Sequence, residues 1–316
     1  MISLFNIRLS SPRRRRFRSQ EGFLGLCLKA LSIVMMALNW IPAFARMTMG
    51  RAGMTTRALA TLFLLTSCAP SAKLIAEKHH FTDQAVKGGK FLLQTYQKVT
   101  NPSLPYAIYI EGDGLAFKNK RTISDDPTPI HPVMLSLAVL DTRPNVVYLA
   151  RPCQYLLEEN RAVCDYHYWT SKRMSEDSVA AMNDAINTIS HGRPIDLIGY
   201  SGGGGVAILV AARNPSVRSI ITVAGNLDHV TFNQYHHVPP MKDSLNPIDY
   251  ALKVNNIPQL HLSGQNDKIV PTLIAKKFVE ATNSTCAYQE IVANTTHQEG
   301  WGKIWSSIFK KVFICK

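Results

Sequence analysis

The chain has 316 residues, of which 46% are hydrophobic and 18% charged, a balance that fits a globular protein and excludes wholesale disorder or a collagen-like architecture. The formal net charge is +13, but ten of the 35 basic residues and only one of the 22 acidic residues precede Cys68. The segment before Cys68 therefore carries +9 and the rest only +4. This distribution excludes a basic nucleic-acid surface on the folded part, and we expect no nucleic-acid partner.

The first 68 residues are typical of a targeting region and are set aside from the fold. Residues 54–67 combine a positively charged start, a short apolar core and small residues, as a secretory signal does. The run Leu65-Thr-Ser-Cys68 resembles the lipobox of bacterial lipoproteins. That resemblance implies cleavage before Cys68, a lipid on its sulfur, and a location on the periplasmic face of the bacterial cell envelope. Residues 68–87 are then predicted to be a tether.

Residues 1–53 have no role in this interpretation, and we interpret them as the product of a start codon assigned too far upstream. Methionines at positions 47, 49 and 54 offer later starts. The alternative is a membrane anchor over residues 22–45, which is long enough to cross a bilayer although Lys29, Asn39 and Pro42 interrupt it. A cleaved signal that leaves Cys68 unmodified is a further alternative.

Four cysteines follow Cys68, and four cysteines can pair in three ways. We favour Cys153–Cys164 and Cys286–Cys315, because an oxidising periplasm permits disulfides. Four unpaired thiols are the alternative. No Cys-x-x-Cys spacing is present, so the cysteines do not indicate a zinc or redox site.

From residue 88 onward, short apolar strands alternate with helical segments. The predicted strands are 91–99, 106–110, 145–149, 195–199, 219–223, 259–262 and 288–292, and the predicted helices are 129–140, 175–189, 204–213, 271–281 and 301–313. This alternation predicts an α/β domain over residues 88–316, with a mostly parallel central sheet flanked by helices. The irregular stretch 226–257 is a candidate for a small cap over the site.

The clearest local motif is Gly199-Tyr-Ser201-Gly-Gly203, which matches Gly-x-Ser-x-Gly between an apolar strand and an alanine-rich helical segment. In that context the pattern is typical of a nucleophile elbow, in which a strained turn points the serine hydroxyl away from the sheet. The glycines at either end allow the strand and the helix to approach closely. We therefore predict that Ser201 is a nucleophile.

A serine hydroxyl needs a base and an orienting acid to become nucleophilic near neutral pH. Asp267 follows a predicted strand, and His297 follows the last predicted strand. Open α/β sheets bind their ligands at the carboxyl ends of the strands, so these loops can meet. Asp228, which follows the preceding strand, is the alternative acid.

These motifs resemble those of the α/β-hydrolases, over about residues 88–316. Gly-Tyr-Ser201-Gly-Gly resembles the family's elbow, the segment 264–271 its acid loop, and Thr296-His297 its histidine loop. The resemblance implies the α/β-hydrolase fold, with Ser201 as nucleophile and His297 as general base. Asp267 would fix the tautomer of His297 and stabilise its protonated form.

The resemblance also implies two backbone N–H donors for an oxyanion. One is that of Gly202, after the nucleophile. The other belongs to the segment Glu111-Gly112-Asp113-Gly114, where the family often has His in place of Glu111. Asp113 is the aligned donor and Gly112 its nearest alternative. Arg121 or Arg151 would offset the acidic charges there.

Other chemical residues have simpler interpretations. Four other histidines that precede Asp267 in the chain are predicted to be lining or surface residues: His229, His236, His237 and His261. The His236-His237 pair has no partner carboxylate with telling spacing, so we predict no metal site. The aromatic run 166–169 could contact a sugar or an acyl chain, but buried packing is the simpler interpretation. Asp125 and Asp126 suit a loop that caps a helix.

Together these observations predict a serine hydrolase that cleaves a small ester, or an amide or thioester, through an acyl-enzyme and without a cofactor. A carboxylesterase-like activity is favoured, with peptidase, thioesterase and lipase activities left open. The alternative from another class is an envelope protein that keeps the fold for binding alone. The sequence does not indicate an oligomeric state.

Overall fold

The structure is a computed structural model that describes residues 71–119, 121–155, 157–309 and 315. The predicted signal, lipidation at Cys68, the start at Met54 and the membrane segment at 22–45 lie outside the described residues. Within the described part of the chain, no helix has the length and apolar character needed to cross a bilayer.

An eight-stranded sheet forms the centre of the described chain. Its strands are β1 (Thr82–Gly88), β2 (Phe91–Val99), β3 (Tyr106–Ile110), β4 (Asn145–Leu149), β5 (Ile195–Tyr200), β6 (Val217–Val223), β7 (Gln259–Gly264) and β8 (Ala287–Val292). The spatial order is β1-β2-β4-β3-β5-β6-β7-β8. The first two strands pair antiparallel, β2 also pairs antiparallel with β4, and all other pairs are parallel.

Seven α-helices accompany the sheet within the described residues. They are α1 (Ala72–Lys78), α2 (Val133–Ala138), α3 (Glu176–Ser190), α4 (Gly202–Ala211), α5 (His229–His236), α6 (Thr272–Thr282) and α7 (Trp301–Ile308). Short 3₁₀ helices lie at Glu158–Asn160, Tyr166–Trp169 and Pro247–Lys253. The prediction of a mostly parallel sheet flanked by helices is confirmed.

Alternating side chains of the buried strands supply two separate cores. In β3, Ile108 and Ile110 pack with α3, α4 and α6 on one face, while Ala107 and Tyr109 pack with α1, α2 and α7 on the other. All five residues of β3 are buried, as expected for a central strand covered on both faces. These two layers hold the carboxyl ends of β5, β7 and β8 in fixed positions.

The tether predicted over residues 68–87 is wrong for its described part. Residues 72–78 form α1, whose Ala72 and Ala76 are buried, and residues 82–88 form β1. A two-residue turn at Gly89-Lys90, with Gly89 at φ 53°, joins β1 to β2. Strand β1 was not predicted because its sequence is mostly polar, and a solvent-facing edge strand needs few apolar residues. The folded part therefore begins before residue 88.

Both favoured disulfides are confirmed. Cys153 pairs with Cys164 across a separation of 11 residues, and Cys286 pairs with Cys315 across 29. The first bridge lies in the long connection between β4 and α3. The second joins the start of β8 to the end of the chain.

We expect loss of the Cys153–Cys164 bridge to lower the free energy of unfolding by about 3 kcal/mol, because a loop of this length regains that much conformational freedom in the unfolded chain. The comparison is urea unfolding of the Cys153→Ser, Cys164→Ser double variant against the unsubstituted protein. A double variant with the same urea midpoint and slope would contradict a stabilising role for the bridge.

Candidate active site

Ser201 lies at the sharp junction between β5 and α4. Its backbone has φ 52° and ψ −121°, a left-handed φ that is uncommon for a residue with a side chain. Its N–H donates to the carbonyl of Val223 on the neighbouring strand β6 at 3.0 Å. Such strain at a strand-to-helix turn is typical of functional positions, where the surrounding structure holds it.

The glycines on either side of Ser201 are needed for close backbone packing. A Cβ at Gly199 would fall 2.3 Å from the carbonyl oxygen of Gly203. A Cβ at Gly203 would fall 2.3 Å from the carbonyl oxygen of Glu111, at the end of β3. The sequence expectation of close approach between strand and helix is confirmed at both positions.

The structure brings Ser201, His297 and Asp267 into one chain of hydrogen bonds. His297 Nε2 lies 3.1 Å from Ser201 Oγ, and His297 Nδ1 lies 2.9 Å from Asp267 Oδ2. The side chain of Asp267 is fully buried and that of His297 is 13% exposed. The histidine therefore connects a buried carboxylate to a hydroxyl at the carboxyl end of the sheet.

Both partners are held in place by their own loops. Asp267 lies between β7 and α6, and its Oδ1 accepts hydrogen bonds from the N–H groups of Ile269 and Val270 at 2.8 and 2.9 Å. His297 lies between β8 and α7, and its carbonyl accepts a hydrogen bond from Trp301 Nε1 at 3.0 Å. Only Oδ2 of Asp267 therefore faces His297.

The three predicted oxyanion donors differ in their surroundings. Gly202 is the first residue of α4, where an N–H has no partner within the helix. The N–H of Gly112 donates to Glu111 Oε1 at 2.8 Å, so it is already used. Gly112 is therefore not a free donor in this structure. Gly202 and Asp113 remain as predicted donors.

Glu111 is a buried carboxyl group next to the predicted oxyanion region. Its Oε1 accepts from Gly112 and its Oε2 accepts from the N–H of Met134 in the first turn of α2, at 3.2 Å. Burial raises its pKa to about 7, while the two backbone N–H groups act in the opposite direction. The residue links the loop after β3 to α2.

Two arginines hold the acidic charge of Asp113. Arg151 Nη1 lies 2.5 Å from Asp113 Oδ1, and Arg173 Nε lies 3.4 Å from Asp113 Oδ2. Burial pushes the pKa of Asp113 upward, but the two guanidinium groups outweigh burial and hold it below its usual value. The expectation for Arg151 is confirmed, whereas Arg121 is exposed. Sequence reasoning missed Arg173.

The alternative acid, Asp228, caps a helix and forms no hydrogen bond with His297. It caps the start of α5, accepting a hydrogen bond from the N–H of Thr231 at 3.1 Å, and its Oδ2 lies 3.3 Å from Lys277 Nζ. Nδ1 of His297 is bonded to Asp267, which follows β7, and not to Asp228, which follows β6.

The remaining histidines lie apart from the chain of hydrogen bonds. His261 is buried in β7, bonded to Thr222 and Gln259, and burial lowers its pKa to about 3. His236 Nε2 donates to the carbonyl of Ile269 at 2.6 Å, and His237 is exposed. Among the residues that the structure describes, no group of three or more His, Cys, Asp or Glu side chains is arranged to hold a metal ion.

The aromatic run at Tyr166–Trp169 is mostly packing. Tyr168 lies edge-on to Phe91 with ring centroids 5.0 Å apart, and Trp169 Nε1 donates to the carbonyl of Ser124 at 3.1 Å. Tyr166 is 48% exposed. The stretch 226–257, predicted as a possible cap, contains α5 and the 3₁₀ helix Pro247–Lys253.

Comparison with known proteins gives likeness of fold only. No family profile matches the chain, and neither does any curated protein. An acylaminoacyl peptidase from Pyrococcus horikoshii superposes with a TM-score of 0.51 at 13% identity, over 69% of this chain but only 37% of the peptidase. An esterase from Pyrococcus furiosus superposes with a TM-score of 0.50 at 12% identity, over 74% of this chain and 88% of the esterase. A putative lipase from Acinetobacter baumannii superposes with a TM-score of 0.50 at 14% identity, over 73% of this chain and 90% of the lipase. The sheet order and these likenesses identify the α/β-hydrolase fold.

Proposed function

We propose that the protein is a serine hydrolase that cleaves an ester, or a related amide or thioester, through an acyl-enzyme on Ser201. The observation that carries this proposal is the continuous hydrogen-bonded chain Asp267–His297–Ser201, with the serine on a strained turn at the carboxyl end of a parallel sheet. Neighbours with this fold that are named as esterases, lipases and peptidases support the same chemistry.

Each residue has a role that its position permits. His297 Nε2 takes the proton of Ser201 as Oγ attacks the carbonyl carbon, and then delivers that proton to the leaving oxygen or nitrogen. Water, activated by the same nitrogen, hydrolyses the acyl-enzyme. Asp267 holds Nδ1–H of His297 and stabilises the imidazolium. The N–H groups of Gly202 and Asp113 would bind the oxyanion, and each such donor contributes about 3 kcal/mol to transition-state stabilisation.

The compatible location is the periplasmic face of the cell envelope, with the chain anchored by a lipid on Cys68. The sequence pattern before Cys68 supports this part of the proposal, as do two disulfides, which favour an oxidising compartment. An N-terminal membrane segment is the alternative anchor.

The test is covalent labelling by a fluorophosphonate, which reacts with activated serines. We expect the unsubstituted protein to be labelled and Ser201→Ala to lose all labelling. The control is Ser136→Ala, because Ser136 is an exposed serine on α2 whose hydroxyl donates to the carbonyl of Pro132 at the start of the same helix. A folded, unsubstituted protein that takes no label would overturn the hydrolase proposal and favour a binding protein with the same fold.

A further inference from the structure

A charged cluster of Asp113, Arg151 and Arg173, here called the arginine cluster, lies close to the nucleophile. Arg151 bonds Asp113 Oδ1 through Nη1 at 2.5 Å and also donates through Nη2 to the carbonyl of Arg173. Arg173 Nε lies 3.4 Å from Asp113 Oδ2. The side chains are 5% exposed for Arg151, 11% for Arg173 and 21% for Asp113. These groups are therefore largely removed from water.

The cluster touches the residue that follows the nucleophile. A Cβ built on Gly202 would fall 2.0 Å from Asp113 Oδ1 and 2.7 Å from Arg151 Nη1. The same three side chains line a narrow cleft together with Pro127, Gln154 and Trp169. Of the two proposed oxyanion donors, Asp113 thus lines a cleft that carries two arginines, and Gly202 lies against the Asp113 and Arg151 side chains of that cleft.

The arginine cluster has a net charge of +1, from two guanidinium groups and one carboxylate. Asp113 is ionised, since the two arginines hold its pKa below the usual value, and a single carboxylate faces two guanidinium groups. Burial of an unbalanced charge is costly, so buried charges are usually paired. A group that is present only during binding can supply the missing negative charge.

One unsatisfied polar atom belongs to the arginine cluster itself. Within the described chain, five buried side-chain polar atoms have no hydrogen-bond partner, and four of them belong to Arg173, Asn226 and His229. Asn226 lies beside the nucleophile, because its N–H donates to the carbonyl of Ser201 at 2.8 Å. Arg173 Nε is the donor among these atoms that belongs to the arginine cluster, and buried donors are satisfied in most structures, so this atom points to an acceptor supplied by a ligand.

We propose that the arginine cluster binds a carboxylate of the substrate, so that the enzyme prefers acyl groups that end in a free carboxylate, such as half-esters of dicarboxylic acids. This inference rests on the proposed hydrolase function. One carboxylate neutralises the single excess charge, and its two oxygens match the planar donors of a guanidinium. A dianionic phosphate would instead leave a negative charge beside a developing oxyanion, which opposes its stabilisation.

Two methyl esters with equal chain lengths test the preference. Monomethyl glutarate carries a terminal carboxylate where methyl pentanoate has a methyl group. We expect the unsubstituted protein to favour monomethyl glutarate at least 10-fold in kcat/KM, measured by methanol release at pH 7. Arg173→Gln keeps hydrogen-bond donors but removes the charge. It should reduce the preference by about 10- to 100-fold, the equivalent of one hydrogen bond to a charged group.

The matched control is Arg161→Gln. Arg161 is 55% exposed, and its ion pair among the described residues is with Glu158, three residues away, so the preference should be unchanged. Should Arg173→Gln not fold, free glutarate provides a second measurement on the unsubstituted protein. Glutarate should slow fluorophosphonate labelling of Ser201 at concentrations where inorganic phosphate does not.

The outcomes separate this inference from the function on which it rests. A labelled, active protein that hydrolyses methyl pentanoate as fast as monomethyl glutarate would overturn the carboxylate site and leave the hydrolase intact. Equal or better protection by phosphate would also overturn it. Failure of both labelling and hydrolysis would remove the proposed function itself.

Discussion

Substitution of Asp267 by asparagine is expected to lower kcat by about 10⁴-fold while leaving the fold intact. Oδ1 of Asp267 accepts two backbone N–H bonds, from Ile269 and Val270, so the amide oxygen of the asparagine will take that position. The amide NH₂ then faces His297 Nδ1 and donates to it. That bond forces the proton onto Nε2, and Nε2 can no longer accept the proton of Ser201. The measurement is p-nitrophenyl acetate turnover, with circular dichroism as the check on folding.

The matched control for this prediction is Asp228→Asn, at the rival acid position. Asp228 caps α5 and pairs with Lys277, and asparagine caps helices nearly as well as aspartate. We expect kcat within a few-fold of the unsubstituted protein. Equal losses in the two variants, or an Asp267→Asn protein with full activity, would contradict the assignment of roles.

Substitution of Gly203 by alanine is expected to lower the free energy of unfolding by about 3 kcal/mol or more. The added Cβ would lie 2.3 Å from the carbonyl oxygen of Glu111 and 2.5 Å from that of Ile110. Both are backbone atoms of a buried strand end and cannot rotate away, so β3 and α4 must separate. Overpacking of this kind costs about 1–3 kcal/mol, and more when backbone must move. Urea unfolding measures the loss.

The control substitution is Gly302→Ala in α7, where the nearest atom to a new Cβ is 3.8 Å away. Gly302 lies in the first turn of α7. Alanine has a higher helix propensity than glycine, so this variant should be as stable as the unsubstituted protein or slightly more so. If Gly203→Ala unfolded at the same urea concentration as Gly302→Ala, close packing at the elbow would not be limiting.

Local patterns were sufficient to predict most of the sheet. Strands β3 and β4 have the predicted bounds, because short apolar runs between polar residues define buried strands well. The helix predicted at 129–140 is shorter and begins at Val133, after Pro132, which lacks the N–H that a continuing helix would use. Strand β1 was missed because it is mostly polar, and helix α1 was missed because seven residues are too few for a helical period to stand out.

The site was predictable to the extent that chain order reveals it. Ser201, Asp267 and His297 each follow a strand of one parallel sheet, so topology alone brings their loops to the same edge. Arg173 does not directly follow a strand, so chain order does not indicate that it belongs to the site. It lies before α3, far along the chain from Asp113, and only the folded connection after β4 brings the two together. The hydrogen bond from the Gly112 N–H to the Glu111 side chain could not be predicted from the sequence either.

The hairpin of β1 and β2 has a consequence for how this protein avoids self-association. Strand β2 is rich in buried apolar residues, and β1 covers its outer side with seven paired residues. The polar β1, mostly exposed, is the edge that other molecules meet. Natural sheets protect their edges with polar strands of this kind, because an open apolar edge templates pairing with another chain. A protein that begins at residue 88 would lack β1, so the edge of β2 would be exposed and the protection against aggregation would be lost.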